Sequence, residues 1–437
     1  MFGAGLDAWE TRALMTGLEL DANDERRLSG RDGEAVQVAM RILIAMAKAT
    51  GARRLLDITS AHVDGCLYQG QVSLDFAERI AVEGARVVVP TTLNVGSLDL
   101  LHPDLYRGSP EDAGRGRRLM DLYVSMGCEP SWTCAPYQRR QRPSFGEHVA
   151  WAESNAIVFA NSVLGARTDR YGDFIDICAA LTGRAPEAGL HLTQNRRGRV
   201  LFRLAGVSPR LLEEDVLYPV LGYLIGSRTG PRVPVIEGLP PETSEDRLKA
   251  LGAAAASSGS VAMFHAVGVT PEAPTLDHAF QGSDPVEVIS VTPPMLRAAR
   301  DSLSTSSGPP IDAVSLGTPH FSLAEFERLT PLLQGARRHP DVDVFVSTSS
   351  AILGEVESRG WREVYDRAGV SLVVGTCTYV TPILPARDRV VMTNSAKWAH
   401  YAPANIGVDV VFGSLEECVR SAELGRVWLD PDLWADA

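Results

Sequence analysis

The sequence predicts an α/β chain of mostly parallel sheets flanked by helices. Its apolar runs are short, continuous and rich in Val and Ile, as expected for strands buried on both faces. Segments of helical periodicity, several closed by glycine, alternate with those runs over most of the chain.

The elements follow in order. Glu34–Thr50 predicts a helix closed by Gly51. Arg54–Ile58 reads as a buried strand, followed by the polar Thr59-Ser60-Ala61-His62. Ser73–Glu83 predicts a helix closed by Gly84. Arg86–Val89 reads as a second strand, followed by Pro90-Thr91-Thr92-Leu93-Asn94. Arg115–Met126 and Tyr171–Thr182 read as helices, with an extended Glu129–Trp132 between them. Strands are then expected at Val233–Ile236, Ser260–His265, Val286–Ser290, Ile311–Leu316, Val342–Val346, Leu372–Val374, Arg389–Met392 and Val408–Phe412. Ser244 is a candidate N-cap, and Thr292 with Pro293 opens a helix. Ser322 with Glu325 and Ser414 with Glu417 have capping-box spacing. The Ser-, Gly- and Pro-rich Leu303–Pro310 is the best candidate linker. The expected division is a leader helix over 1–25, an α/β domain over 26–200, a second over 201–305 and a third over 306–437.

A chain of 437 residues is too long for one ordinary core. It is 45% hydrophobic and 22% charged, as soluble globular proteins are. A net charge of −12 with no long basic run argues against nucleic-acid binding. The apolar runs are too short to span a membrane, and the N-terminus has no secretory pattern, so a cytoplasmic chain is expected. None of the six cysteines forms a Cys-x-x-Cys pair.

Loops leaving the carboxyl ends of strands in such folds face the ligand crevice. Cys134 and Cys377 each follow a strand-like run, so each is either a pocket thiol or a buried small hydrophobe. Cys418 sits early on the helix capped by Ser414. There the helix dipole favours a thiolate, although a core position on an amphipathic helix is the simpler reading. Cys178 lies within a helix, where packing is the simpler role. Lys397 follows a strand beside Asn394 and Ser395. It is either an anchor for a substrate carboxylate or a solvated lysine. His62 with Ser60, and Thr91 with Thr92 and Asn94, form polar clusters after the first two expected strands. Glu153, Asn155, Asn161, Ser162 and Arg167 crowd a polar segment around the strand-like Ala156–Ala160. An arginine there suits a carboxylate clamp.

The motifs Thr133-Cys134-Ala135-Pro136-Tyr137, Trp151-Ala152-Glu153-Ser154-Asn155-Ala156 and Asn161-Ser162-Val163-Leu164-Gly165-Ala166-Arg167-Thr168 resemble those of the aconitase X family. So do Pro90–Asn94, Ser60-Ala61-His62, Thr376-Cys377 and Thr393-Asn394-Ser395. The resemblance runs from about residue 20 to the C-terminus. It implies an aconitase-like multi-domain arrangement and an iron–sulfur hydro-lyase. It implies Cys134, Cys377 and Cys418 as cluster ligands, with Cys178 as alternate. His62, Lys397 and Glu153 become the catalytic candidates. Ser60, Thr91, Thr92, Asn94, Asn155, Asn161, Ser162, Arg167, Asn394 and Ser395 become the substrate-binding ones. Two family activities are known, on cis-3-hydroxy-L-proline and on mevalonate 5-phosphate. The stretch Tyr171–Cys178 is similar to bacterial members and favours the first. The swivelling domain of the superfamily has no counterpart in the chain, so a separate small subunit is expected, which would supply some active-site side chains. The sequence departs from the family pattern at Asp169, Gly375 and Ala396. Gly375, in place of the usual Asp, favours the remaining alternative of a cluster-free binding or scaffold subunit.

Overall fold

The structure, a computed structural model, describes residues 17–435 apart from 307, 309 and 388. Most of the expected leader helix lies outside the described residues; within them, Asp21 caps a short helix, Ala22–Leu28.

Among the described residues, three parallel sheets, each with its own helices, and one two-stranded antiparallel pair make up the architecture. In the first, β1 (Ala61–Val63) lies between β2 (Thr91–Leu93) and β3 (Ala150–Trp151). His62 stands opposite Thr92 on one side and Trp151 on the other. The second sheet contains β4 (Val200–Arg203), β5 (Pro234–Glu237), β6 (His265–Ala266) and β7 (Glu287–Ser290), in the order β6-β5-β4-β7. The third contains β8 (Ala313–Leu316), β9 (Asp343–Thr348), β10 (Val370–Val374), β11 (Val390–Thr393) and β12 (Asp409–Phe412). Its order is β10-β9-β8-β11-β12, so the winding reverses between β8 and β11. In open α/β sheets such a reversal opens a crevice at the carboxyl ends of the strands. The first sheet likewise reverses at β1, between β2 and β3.

Both expected capping boxes form, at Ser322 with Glu325 and at Ser414 with Glu417. Four sequence expectations need correction. Arg54–Ile58 is not a strand of the first parallel sheet. Its Leu55–Asp57 pairs antiparallel with Arg184–Pro186, and the Arg184 guanidinium bonds both Asp57 (2.6 Å) and Asp24 (2.9 Å). Arg86–Val89 is loop, because its amides are taken elsewhere: Val87 N donates to Met126 O and Val88 N to Ala180 O. The true strands therefore start a few residues later, and His62, Thr91 and Thr92 lie within strands rather than after them. Ala156–Ala160 is helical. Glu153 caps the helix Ser154–Phe159, and a π-helical turn, Ala160–Leu164, continues it. Ser260–His265 contributes to a strand only at its end, in His265–Ala266.

Candidate active site at the carboxyl ends of two sheets

The chain leaves β8 through Gly317-Thr318-Pro319-His320, β10 through Gly375-Thr376-Cys377 and β11 through Asn394-Ser395. Cys134 comes from the loop that bonds the end of β2, where Thr133 N donates to Leu93 O (3.2 Å). These exits bring together Cys134, Cys377 and His320, all buried, with one donor atom from each within 4.8 Å of the others. The neighbouring Cys134 thiol, aided by burial, pushes the Cys377 thiol well up, against the pull of Lys397. Two sulfurs held together in a dry site suit a metal cation, which would take both as thiolates.

His320 is locked into this group. Its backbone N donates to Cys134 Sγ (3.3 Å). Its Nε2 lies 3.1 Å from the Thr376 carbonyl, which can only accept, so Nε2 carries the proton and Nδ1 accepts from Thr133 Oγ1 (3.1 Å). Burial lowers its pKa to about 4 and keeps the ring neutral.

Lys397 lies in the first turn of the helix Ala396–Ile406, whose N-cap is Ser395. It is buried and ion-paired with Glu153, and its Nζ also donates to Ser154 Oγ (3.2 Å). Burial opposes the charge on Lys397, but Glu153 outweighs it and holds the pKa well above the ordinary value. Glu153 directly follows the exit from β3. Its φ of 71° lies where non-glycine residues pay about 1–3 kcal/mol. Bonds from Asn155 N and Ala156 N (2.9 Å each) to Glu153 Oε2 hold it there. Asn155 donates through Nδ2 to the Cys134 carbonyl (2.8 Å) and accepts from Tyr137 OH, tying this acid to the thiol loop. Asn394, Ser395, Lys397 and Thr318 line a cavity of about 340 Å³ at the crevice of the third sheet. Six carboxylates and four cations line this cavity, so its balance is acidic.

Other candidates stand elsewhere. Cys418 does not join the other thiols. It lies on the buried stripe of the helix Leu415–Leu424, within the aliphatic core that contains Leu329, Val344 and Val346. Cys178 lies in the core of the first domain. Asn161 spends its side chain on Thr168, Ala262 and Arg196, and Ser162 Oγ accepts from Phe264 N (2.8 Å). Both therefore brace the π-helical turn. Arg167 is committed to the His191 carbonyl (2.9 Å) and Thr193 Oγ1 (3.0 Å). Ser60, Thr91 and Thr92 line a separate cavity of about 540 Å³ near the start of β1 and β2. His62 Nδ1 meets Thr92 Oγ1 (2.8 Å), and burial lowers its pKa to about 3. So weak a base is a poor proton acceptor near neutral pH. Asn94, just past β2, donates to Asp64, just past β1.

Sequence reasoning missed Asp64 and His320. Both follow short apolar strands, at Val63-Asp64-Gly65 and Leu316-Gly317-Thr318-Pro319-His320, the same signal that singled out Cys377.

The aconitase X first-domain family model matches residues 17–194, the second-domain model 198–301 and the third-domain model 311–423. The chain is 45% identical over 439 residues to a cis-3-hydroxy-L-proline dehydratase of Pseudomonas aeruginosa, covering 98% of this chain and 75% of that one. It is 39% identical to a phosphomevalonate dehydratase large subunit of Methanothermobacter thermautotrophicus, covering 92% of this chain and 98% of that one. Among solved structures it superposes on Thermococcus kodakaraensis aconitase X in its holo form with a TM-score of 0.82 at 34% identity, covering 93% of this chain and 100% of that one. The chain is a hydro-lyase, and it belongs to the aconitase X family.

Proposed function

We propose that this chain removes water from cis-3-hydroxy-L-proline, giving the cyclic enamine that tautomerises to pyrroline-2-carboxylate. The observation that carries this reading is the buried Lys397 ammonium, aligned by Glu153 beside the paired thiols Cys134 and Cys377. Lys397 would hold the substrate carboxylate and stabilise the negative charge that spreads onto it when the α-proton leaves. Glu153 has both oxygens engaged, so it positions Lys397 rather than taking the proton. Asn394 would flank the carboxylate at the helix N-terminus, while Ser395 is spent on the cap, its Oγ donating to Thr318 O and accepting from Trp398 N. The acidic balance of the cavity disfavours the phosphorylated hydroxy acid, whose dianion it would repel.

Cys134 and Cys377, with the His320 ring packed against them, are the residues fitted to hold an iron–sulfur centre. When bound, such a centre supplies Lewis-acid assistance to a departing hydroxyl. Cys418 and Cys178 are not needed for it. A small partner subunit that completes the site is part of the same reading; the relatives named as large subunits match this chain over 98–99% of their own length. The test is turnover by the reconstituted complex with each substrate. Water loss from cis-3-hydroxy-L-proline but not from mevalonate 5-phosphate is expected, and the reverse preference would overturn the assignment.

A further inference from the structure

At the carboxyl end of β1, Asp64 is half-buried at the reversal of the first sheet. The turn that carries it is fixed by Asp176, whose Oδ2 accepts from Asp64 N (2.7 Å) and whose Oδ1 accepts from Ile177 N (2.7 Å). Asp64 Oδ1 accepts from Asn94 Nδ2, and its Oδ2 has no protein donor among the described residues. The charges bearing most on Asp64 are all negative: Glu153, Asp173 and Asp176. Asn94 is only 3% exposed, yet its Oδ1 has no hydrogen-bond partner among the described residues. The bond from its amide nitrogen to Asp64 sets this bare oxygen beside the carboxylate. A buried acceptor left empty costs about 1–3 kcal/mol, so the site calls for a donor from outside. An anion and a neutral acceptor side by side, with no Lys or Arg ion-paired to Asp64 among the described residues, call for a donor that is also positive.

Glu153 links this corner to the reaction centre, because the carboxylate that holds Lys397 also bears on Asp64. One substrate would then meet a cation at Lys397 and an anion at Asp64. We propose that Asp64, with Asn94 Oδ1, takes the ring ammonium of a cyclic imino acid and selects such zwitterions over hydroxy acids that lack an amine. This rests on the hydroxyproline reading above and names the group that recognises the nitrogen. It also serves the chemistry, since a protonated nitrogen on the α-carbon acidifies the proton to be removed. Burial, reinforced by Glu153, raises the Asp64 pKa to about 7. Its ionised form is the binding form, so affinity for an ammonium ligand should rise with pH between 6 and 8.

The test uses two unreactive probes on the complex with its small subunit: L-proline, with carboxylate and ammonium, and cyclopentanecarboxylate, with carboxylate alone. The wild type should bind L-proline about 10- to 100-fold more tightly, the range expected for one charged hydrogen-bonded contact. Asp64→Asn should erase that preference and leave cyclopentanecarboxylate within about twofold. The wild-type comparison needs no variant, so a misfolded Asp64→Asn would not block the test. Equal binding of the two probes by a wild type that dehydrates cis-3-hydroxy-L-proline would overturn the role of Asp64 alone. So would an Asp64→Asn that keeps the preference. A wild type that dehydrates no hydroxyproline would overturn the substrate assignment instead.

Discussion

Replacing Lys397 with Met removes the ammonium from a pair whose side chains are 4% and 6% exposed. The Glu153 carboxylate is then left buried without its counter-ion. Breaking such a pair from one side generally costs about 3–5 kcal/mol. Glu153 keeps the backbone bonds from Asn155 and Ala156, so the lower end of that range, about 3 kcal/mol, is expected. In a Lys397→Met/Glu153→Gln double variant the stranded charge is gone, and about 2 kcal/mol of the loss should return. Denaturant unfolding of the wild type, both single variants and the double closes the cycle. A coupling below about 0.5 kcal/mol would mean that the two residues act independently, and the positioning role of Glu153 would fall. Turnover should be lost in every variant lacking Lys397, including the restabilised double, which separates substrate binding from stability.

Other outcomes follow from the same geometry. Cys418→Ala should leave iron content unchanged and cost about 1–2 kcal/mol of packing, because the thiol faces aliphatic core; loss of iron would return it to the ligand set. His320→Ala should weaken metal retention about 10- to 100-fold in a chelator competition, and unchanged retention would remove it from the centre. His62 has a folded pKa of about 3, below its ordinary 6.5, so the unfolded chain binds the proton first as pH falls. Its contribution is complete above pH 6.5 and is lost as pH drops toward 3. His62→Phe should therefore flatten stability against pH by about 1.4 kcal/mol per unit between pH 6 and 4, and an unchanged slope would show that His62 is not buried neutral.

Much of the third domain is legible in the sequence, because its continuous apolar runs leave only one way to place strands, and Cys377, Asn394 and Lys397 follow at their ends. The first domain is harder to read. Its central strands are only two or three residues long and partly polar, while the more apolar Arg86–Val89 is spent as loop. That offset of a few residues placed weight on His62 and Thr92 and passed over Asp64. Cys418 shows a different limit. The capping box at Ser414 is legible, but the direction of the fourth helical residue depends on which stripe of the helix meets the sheet, and here Cys418 and Ala422 are on it. Asn161 and Arg167 have the chemistry of ligand contacts, and only the tertiary fold reveals that Thr168, Arg196 and His191 already occupy them.

Iron content, measured alongside dehydration of cis-3-hydroxy-L-proline by the anaerobically reconstituted protein with the proposed small subunit, tests the metal centre most directly, with Cys377→Ser and Cys418→Ser compared in parallel. Loss of both iron and turnover in Cys377→Ser, with both retained in Cys418→Ser, is the predicted result. A Cys377→Ser protein that keeps its iron and still releases water from the substrate would contradict a centre built on Cys134 and Cys377.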